Sequence, residues 1–368
     1  MDKPGLKNAS MREAWSVKRK TIQPVIIGPE RERFVRLSQL SAGQSLPVVV
    51  EPSLAGVNLA AWAGSNREFI ESKLLKDGAI LFRGFHINSH DELDQFLTSI
   101  SLPRMHYMEG ATPRTELKEK VYTSTEYPAE QSIALHNELN YVITWPMKIF
   151  FACAIPAREG GATPIADVRK VYDLIDPDIR ARFIDKGWML LRNFGEGLSL
   201  PWQTSFRMSS KSEFTSYCRE SRITCEWKDE NRVRTRQVRP AVRRHPKTAE
   251  PVWFNHIAFW HISSLAPEVR EMFLKEFKED DLPYNTYYGD GTPIEDSVVE
   301  HIREAYDRAT IAFPWQRGDL LMIDNMLVAH GRKPFTGERK VLTAMGEPFS
   351  DKSSWNWSAA GFSGGSTL

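Results

Sequence analysis

A histidine and a glutamate flank a single residue at His136 and Glu138, in Leu135-His136-Asn137-Glu138-Leu139-Asn140-Tyr141, and their best partner, His330, follows only near the end of the chain. An apolar run from Ile149 to Ile155 reads as a buried strand just after the first pair, and Leu320 to Ile323 reads as another just before His330. Side chains alternate faces along an extended segment, so His136 and Glu138 are expected on one side, where both can reach one ion. Two histidines and one carboxylate that leave open positions suit non-haem Fe(II) and oxygen chemistry. If His330 completes that set, everything between positions 138 and 330 must leave the site and return to it. The intervening chain is then no free-standing domain. A single domain with insertions over residues 25–357 is the economical organisation, between a loose N-terminal arm at 1–24 and a disordered Ser-, Gly- and Ala-rich tail at 358–368.

At 368 residues with 41% apolar content the chain can bury a substantial core. A net charge of +1 gives no global argument for nucleic acid or an anionic membrane surface. Three cysteines, Cys153, Cys218 and Cys225, form no CxxC pair and no even-numbered framework, so a disulfide scaffold or cysteine-rich zinc module is not expected. All three read as structural. No stretch approaches the length of a membrane span, and the basic N-terminus lacks the apolar core of a signal peptide, which points to a cytoplasmic protein.

Local signals give the order of elements. Ser65-Asn66-Arg67-Glu68 reads as a capping box opening a helix that buries Phe69, Ile70, Leu74 and Leu75 and stops at Gly78; a strand to Phe85 follows. Ser89 to Glu92 opens a second capped helix carrying Leu93, Phe96, Leu97 and Ile100 inward. From Met105 to Pro128 the chain is polar and irregular, as functional loops are. Asp167 is placed to cap a helix through Ile175, and Pro177 to Lys186 is a further helix ended by Gly187. Residues 188–262 have the look of antiparallel strands plus one helix near Ser212 to Arg219. Helices are expected from Glu268 to Phe277 and, behind a Thr292-Pro293-Ile294-Glu295 capping box, to about Arg308. Gly318 to Asp324 and Arg339 to Met345 read as paired strands around His330.

His136-x-Glu138, Thr163 within Gly160-Gly161-Ala162-Thr163-Pro164, and His330 followed by Arg339 occur in one order, supported by Gly78 to Phe85 and Tyr122 to Pro128. Over roughly residues 75–347 the chain resembles the taurine dioxygenase and clavaminate synthase-like superfamily of Fe(II)/2-oxoglutarate oxygenases, and within it the SyrP-like branch. The resemblance implies a mainly β protein with flanking helices (α+β) around a distorted double-stranded β-helix, a jelly roll with the metal at its mouth. It implies that His136, Glu138 and His330 bind Fe(II), and that Thr163 and Arg339 hold the distal carboxylate of 2-oxoglutarate. A guanidinium fork and a hydroxyl do suit a buried carboxylate. Arg339 follows His330 more closely than is usual, and Lys340, Arg332 and Arg317 are rival cations. The implied reaction couples decarboxylation of 2-oxoglutarate to oxidation of an aliphatic C–H bond by O2, with release of succinate and CO2. Hydroxylation, desaturation and ring closure all begin with the same hydrogen abstraction. Glu138 disfavours halogenation, because related halogenases lack a carboxylate there. The branch points to an amino-acid-like substrate, free or presented on a carrier protein. A zinc hydrolase is the rival class; it would want a nearby general base and has no use for Thr163 and Arg339.

Three substrate contacts are expected: Arg114 on the long loop, Asn140 by alternation with His136 and Glu138, and Asn255 from across the mouth. The aromatic segment Trp253 to His261 reads either as a cavity wall or as core, with core packing the plainer choice. The cations Arg232, Arg234, Arg236 and Arg239, with Arg243, Arg244 and Lys247, read either as a solvated hairpin or as a docking patch for an acidic carrier protein. Aromatics are too sparse among them to favour nucleic acid.

Overall fold

The computed structural model describes residues 34–351 apart from 106–108, 110–115, 119, 124–126 and 196–198. The expected N-terminal arm and C-terminal tail lie outside the described residues. Strands β1 (Val35–Gln39) and β2 (Val48–Pro52) open the fold and lead into helices α1 (Leu59–Ser65) and α2 (Arg67–Asp77). Ser65 therefore ends one helix rather than capping the next. Leu59 to Ala63 forms its own apolar turn, and the Asn66 amide donates back to the Trp62 carbonyl at 2.8 Å. Gly78 closes α2 at φ 79°, as expected of a left-handed stop, and β3 (Ala79–Phe82) follows. Helix α3 (His90–Ser99) has both reciprocal bonds of its capping box, Ser89 with Glu92.

Two short strands, β4 (Glu116–Lys118) and β5 (Val121–Thr123), lie within the stretch expected to be irregular. Then come β6 (Ile133–His136), β7 (Thr144–Ile155), β8 (Glu159–Gly160), β9 (Ile165–Asp167), α4 (Val168–Leu174) and α5 (Pro177–Lys186). Asp167 caps α4 through its side chain as expected. The middle of the chain holds β10 (Trp188–Phe194), α6 (Trp202–Phe206), α7 (Lys211–Glu220), β11 (Thr224–Trp227), β12 (Val233–Arg239), β13 (Val242–Arg244), β14 (Pro251–Trp253) and α8 (Ile257–Trp260). Last are α9 (Pro267–Glu276), β15 (Tyr284–Tyr288), α10 (Asp296–Ala309), β16 (Thr310–Ile311), β17 (Leu320–Asp324), β18 (Val328–Arg332), β19 (Phe335–Thr336) and β20 (Lys340–Ser350). The box at Thr292 to Glu295 does not form. Thr292 gives its hydroxyl to Asp290 at 2.6 Å, Glu295 accepts from Tyr288 and Arg182, and α10 starts at Asp296.

An eight-stranded sheet runs β1-β2-β3-β17-β7-β20-β5-β4, and a four-stranded sheet runs β16-β9-β18-β6. Strands β17 and β20 do not pair with each other, as the sequence reading had them. Both flank β7, whose long apolar run makes it the better centre strand. One face of the large sheet, through Ile80, Phe82, Phe150 and Met322, packs under Trp62, Leu74, Phe96 and Leu97 of α1 to α3. The opposite face, through Ile149, Phe151, Ile323 and Met345, shares a core with Ile165, Val328 and Ala329 of the small sheet. Being buried on both faces is why β7 lacks polar alternation. A further sheet, β11-β12-β10-β15, and the β13-β14 hairpin fill the insertion between the proposed ligands. The fold is mixed α/β, rich in strands with ten α-helices among the described residues, and its sheets form no closed barrel.

Candidate metal and cosubstrate site

The small sheet brings the distant parts of the chain together. His330 in β18 stands directly opposite His136 at the end of β6, with a register shift between His330 and Arg332. Bulges of this kind bend a strand and re-aim its side chains. The two imidazoles lie with ring centroids 4.4 Å apart. Glu138 is not on the strand. It follows in a turn whose next residue, Leu139, has φ 54°, so alternation along an extended segment is not what joins it to His136.

Asn325 makes the junction instead. Its side-chain oxygen accepts from the Glu138 backbone N–H at 2.7 Å, its amide donates to the carbonyls of Glu138 and Pro146 at 2.8 Å each, and its own carbonyl accepts from the Asn137 side chain at 2.7 Å. Asn325 is fully buried at the end of β17, so every one of these bonds lies in the interior. Next to it, Asp324 accepts from the backbone N–H groups of Met326 and Leu327 and lies 3.1 Å from His245 Nε2. The sequence reading missed Asn325; an Asx residue closing an apolar strand was the available signal. Substituting Asn325→Ala leaves several buried backbone groups unpaired, at about 1–3 kcal/mol each. The variant is expected to lose at least about 3 kcal/mol in denaturant unfolding and to bind divalent metal more weakly. Wild-type stability and metal affinity in that variant would remove Asn325 from this role.

One potential ligand atom from each of His136, Glu138 and His330 lies within 4.8 Å of the others, and His330 Nε2 is 3.8 Å from a Glu138 oxygen. His136 Nδ1 is 2.9 Å from the Ala134 carbonyl. Donation there puts the proton on Nδ1 and leaves the Nε2 lone pair for a metal, as outer partners of ligating histidines do. Two neutral imidazoles and a carboxylate at this spacing fit a divalent ion with open positions. Phe151 and Phe259 pack on His330 and His136, at ring centroid distances of 4.9 and 5.0 Å.

A cavity opens beside this cluster, bordered by His136, Thr163, His330, Arg332 and Arg339. Thr163 arrives there after two left-handed glycines, Gly160 and Gly161 at φ 69° and 68°. A Cβ on Gly161 would lie 3.1 Å from Arg339 Nε, so glycine is what lets the guanidinium pass. Arg339 donates from Nε to the Gly161 carbonyl at 2.9 Å and from Nη2 to Thr163 Oγ1 at 3.4 Å, and Trp315 donates to the same hydroxyl at 3.1 Å. Burial and the nearby charge of Arg332 pull the Arg339 pKa down to about 10. No carboxylate lies within ion-pair distance of either guanidinium among the described residues. Arg332 is buried and Arg339 half-buried; the Arg332 charge disfavours that of Arg339 while Glu130 favours that of Arg332, and two such guanidinium groups on one cavity fit an anionic ligand. Of the rivals, Lys340 and Arg317 are exposed and only Arg332 shares the cavity.

The expected substrate contacts fare differently. Arg114 lies outside the described residues. Asn255 is buried and caps its own loop, donating to the Ala241 carbonyl at 2.9 Å and accepting from Ile257 N–H at 3.1 Å. Asn140, also buried in the turn, has its oxygen 2.5 Å from His256 Nδ1 and does not follow the face of His136. His256 stacks between Tyr141, Trp260 and Phe259, 5.6 Å from His136. The Trp253 to His261 segment is thus core at His256 and site wall at Phe259, which is only half-buried. The arginine run divides: Arg232, Arg244 and Lys247 are exposed, Arg236 is half-buried, and Arg234, Arg239 and Arg243 are buried. Arg234 and Arg236 pair with Glu226 and Asp280, Arg234 also with Asp281, Arg232 with Asp229, and Arg243 with Asp351. Arg239 is buried, donating to the carbonyls of Tyr141 and Ser221.

Residues 41–345 match the family described as taurine catabolism dioxygenase TauD, TfdA. The chain belongs to that family. Membership assigns the reaction class, a non-haem Fe(II)- and 2-oxoglutarate-dependent dioxygenase, and sets the zinc hydrolase aside. The dapdiamide synthesis protein DdaC of Enterobacter agglomerans is 44% identical over 279 residues, covering 76% of this chain and 85% of that one. A clavaminate synthase-like protein of Arabidopsis thaliana is 28% identical over 317 residues, covering 81% and 93%. The PvcB protein of Pseudomonas aeruginosa shares the fold, with a TM-score of 0.51 at 18% identity over 85% of this chain and 91% of that one. No helix among the described residues of this dioxygenase is long and apolar enough to cross a membrane.

Proposed function

We propose that this TauD/TfdA dioxygenase oxidises an aliphatic C–H bond of an amino acid or aminoacyl group in specialised metabolism. His136, Glu138 and His330 hold Fe(II), and Thr163 with Arg339 holds the distal carboxylate of 2-oxoglutarate. The observation that carries this reading is the opening of a carboxylate-ready Arg339–Thr163 pair into the same cavity as His136 and His330, whose ligand atoms lie within 4.8 Å of one from Glu138. When bound, the metal with 2-oxoglutarate and O2 supplies the oxidant for the C–H bond, releasing succinate and CO2. The chain supplies orientation and exclusion of water. Ala134 fixes the tautomer of His136, Asn325 aims Glu138, and Phe151 and Phe259 keep the two imidazoles dry on their outer faces.

The amino-acid class rests on the likeness to a protein named for dapdiamide synthesis. A jelly-roll core belongs to this reading, supported by two apposed sheets beside the site and by the likeness to PvcB. Residues 25–357 act as one oxygenase domain in this reading, since the small sheet needs β6 and β18 together. Carrier presentation through the arginine run would have to compete with the acids already paired to Arg232, Arg234, Arg236 and Arg243.

Anaerobic Fe(II) and 2-oxoglutarate together should give the weak visible charge-transfer band of the chelate. Consumption of O2 and 2-oxoglutarate should then be measured over a panel of free amino acids and their carrier-bound forms, with product masses separating hydroxylation from desaturation or ring closure. Absence of the band would refute the ligand assignment, and a panel with no stimulated turnover would refute the substrate class.

A further inference from the structure

Arg332 sits two residues beyond His330 on β18, across the register shift, and both residues border one cavity. It is 5% exposed and borders the same cavity as Arg339 and Thr163. Its terminal nitrogens are occupied. Nη1 donates to the Tyr127 carbonyl at 2.9 Å, and Nη2 donates to the carbonyls of Pro128 and Gln131 at 2.5 and 3.0 Å. The Nε–H is buried and has no partner among the described residues. An orphaned guanidinium donor in the interior is costly, and although Glu130 acts on the charge of Arg332 it makes no bond to this Nε–H, while Arg339 adds a second cation to the same cavity wall.

We propose that Arg332 is a second cosubstrate-binding residue, giving its Nε–H to a 2-oxoglutarate carboxylate while its two terminal nitrogens hold residues 127–131 in place. The proposal rests on the Fe(II)/2-oxoglutarate reading above. It makes one side chain answer to both the cosubstrate and the segment that runs into β6 and His136. A dianion satisfies both guanidinium groups, and relieving the Arg332–Arg339 repulsion tightens the three carbonyl bonds of the same fork. Binding of 2-oxoglutarate and ordering of residues 127–131 are then coupled.

The test uses full-length protein loaded with Mn(II), so that no turnover is needed. In calorimetric titration with 2-oxoglutarate, Arg332→Gln and Arg332→Lys should each weaken binding by about tenfold or more, the effect of one lost charged hydrogen bond. Mn(II) affinity should be unchanged. Hydrogen exchange should show 2-oxoglutarate slowing the amides of residues 127–131 in the wild type and not in Arg332→Lys. Should Arg332→Gln fail to fold, Arg332→Lys carries the test, because it keeps the charge and loses both Nε–H and the fork. Wild-type 2-oxoglutarate affinity in either folded variant would overturn the binding role, and equal protection of 127–131 in Arg332→Lys would overturn the coupling. A wild-type protein that binds Mn(II) yet no 2-oxoglutarate would instead bring down the cofactor reading on which the proposal stands.

Discussion

His330→Ala is expected to abolish the Fe(II)/2-oxoglutarate absorption band and all 2-oxoglutarate consumption, and His136→Ala to do the same. Loss of an outer partner of a metal ligand already costs about 10–100-fold in affinity or activity, so loss of a ligand itself should exceed that range. His330 is placed to matter most. It stands opposite His136 in the sheet, its Nε2 faces Glu138 at 3.8 Å, and its ring packs on Phe151. Alanine would leave two ligands and a gap against Phe151. Equilibrium dialysis with Fe(II) under anaerobic conditions separates the metal effect from any loss of fold, with circular dichroism as the control. A folded His330→Ala protein that keeps both the metal and the band would mean that the ion sits elsewhere. Glu138→Ala tests the same cluster from the side that Asn325 controls, and should likewise fail to retain Fe(II).

The second large effect is expected at Arg339. Arg339→Ala should raise the 2-oxoglutarate requirement by about two orders of magnitude, which corresponds to a charged hydrogen bond of roughly 2–3 kcal/mol. Lys340→Ala should change little, since its side chain is exposed while Arg339 reaches the Thr163 hydroxyl. Stability should not fall in proportion. Arg339 is half-buried near Arg332, and removing one of two like charges offsets part of the packing lost with the side chain. The measurement is KM for 2-oxoglutarate alongside the unfolding midpoint. A normal KM in Arg339→Ala, with a raised one in Lys340→Ala, would show that the outward side chain is the anchor and that the cavity assignment is wrong.

Much of the architecture could be read from periodicity and end signals because those are local. The Ser89 to Glu92 box, the Gly78 and Gly187 stops and the Asp167 cap each depend on groups within a few residues, and all are present. The two boxes that failed did so through competition that a window cannot weigh. Leu59 to Ala63 drew Ser65 into an earlier helix, and Asp290 took the Thr292 hydroxyl. The meeting of His136, Glu138 and His330 was inferred from residue types and order, yet the alternation offered as its cause does not operate, because Glu138 lies in a turn. Whether an arginine is free or paired was likewise beyond a local reading. Arg234 finds its acids on β11 and just before β15, and neither is a neighbour in sequence.

The sequence by itself determined the chemistry, since ligand types, a glycine-rich approach to Thr163 and a following arginine are properties of residues and of their order along the chain. Only the tertiary structure decided how that chemistry is aimed. Asn325, far from Glu138 in the chain, sets the Glu138 turn through side-chain bonds to its backbone. Pairing of β6 with β18 sets the distance between the histidines, and the left-handed turn at Gly160 and Gly161 clears the path for Arg339. These are non-local hydrogen bonds and close packing contacts. Their partners are chosen when sheets and loops assemble around one core, so no stretch of sequence contains them.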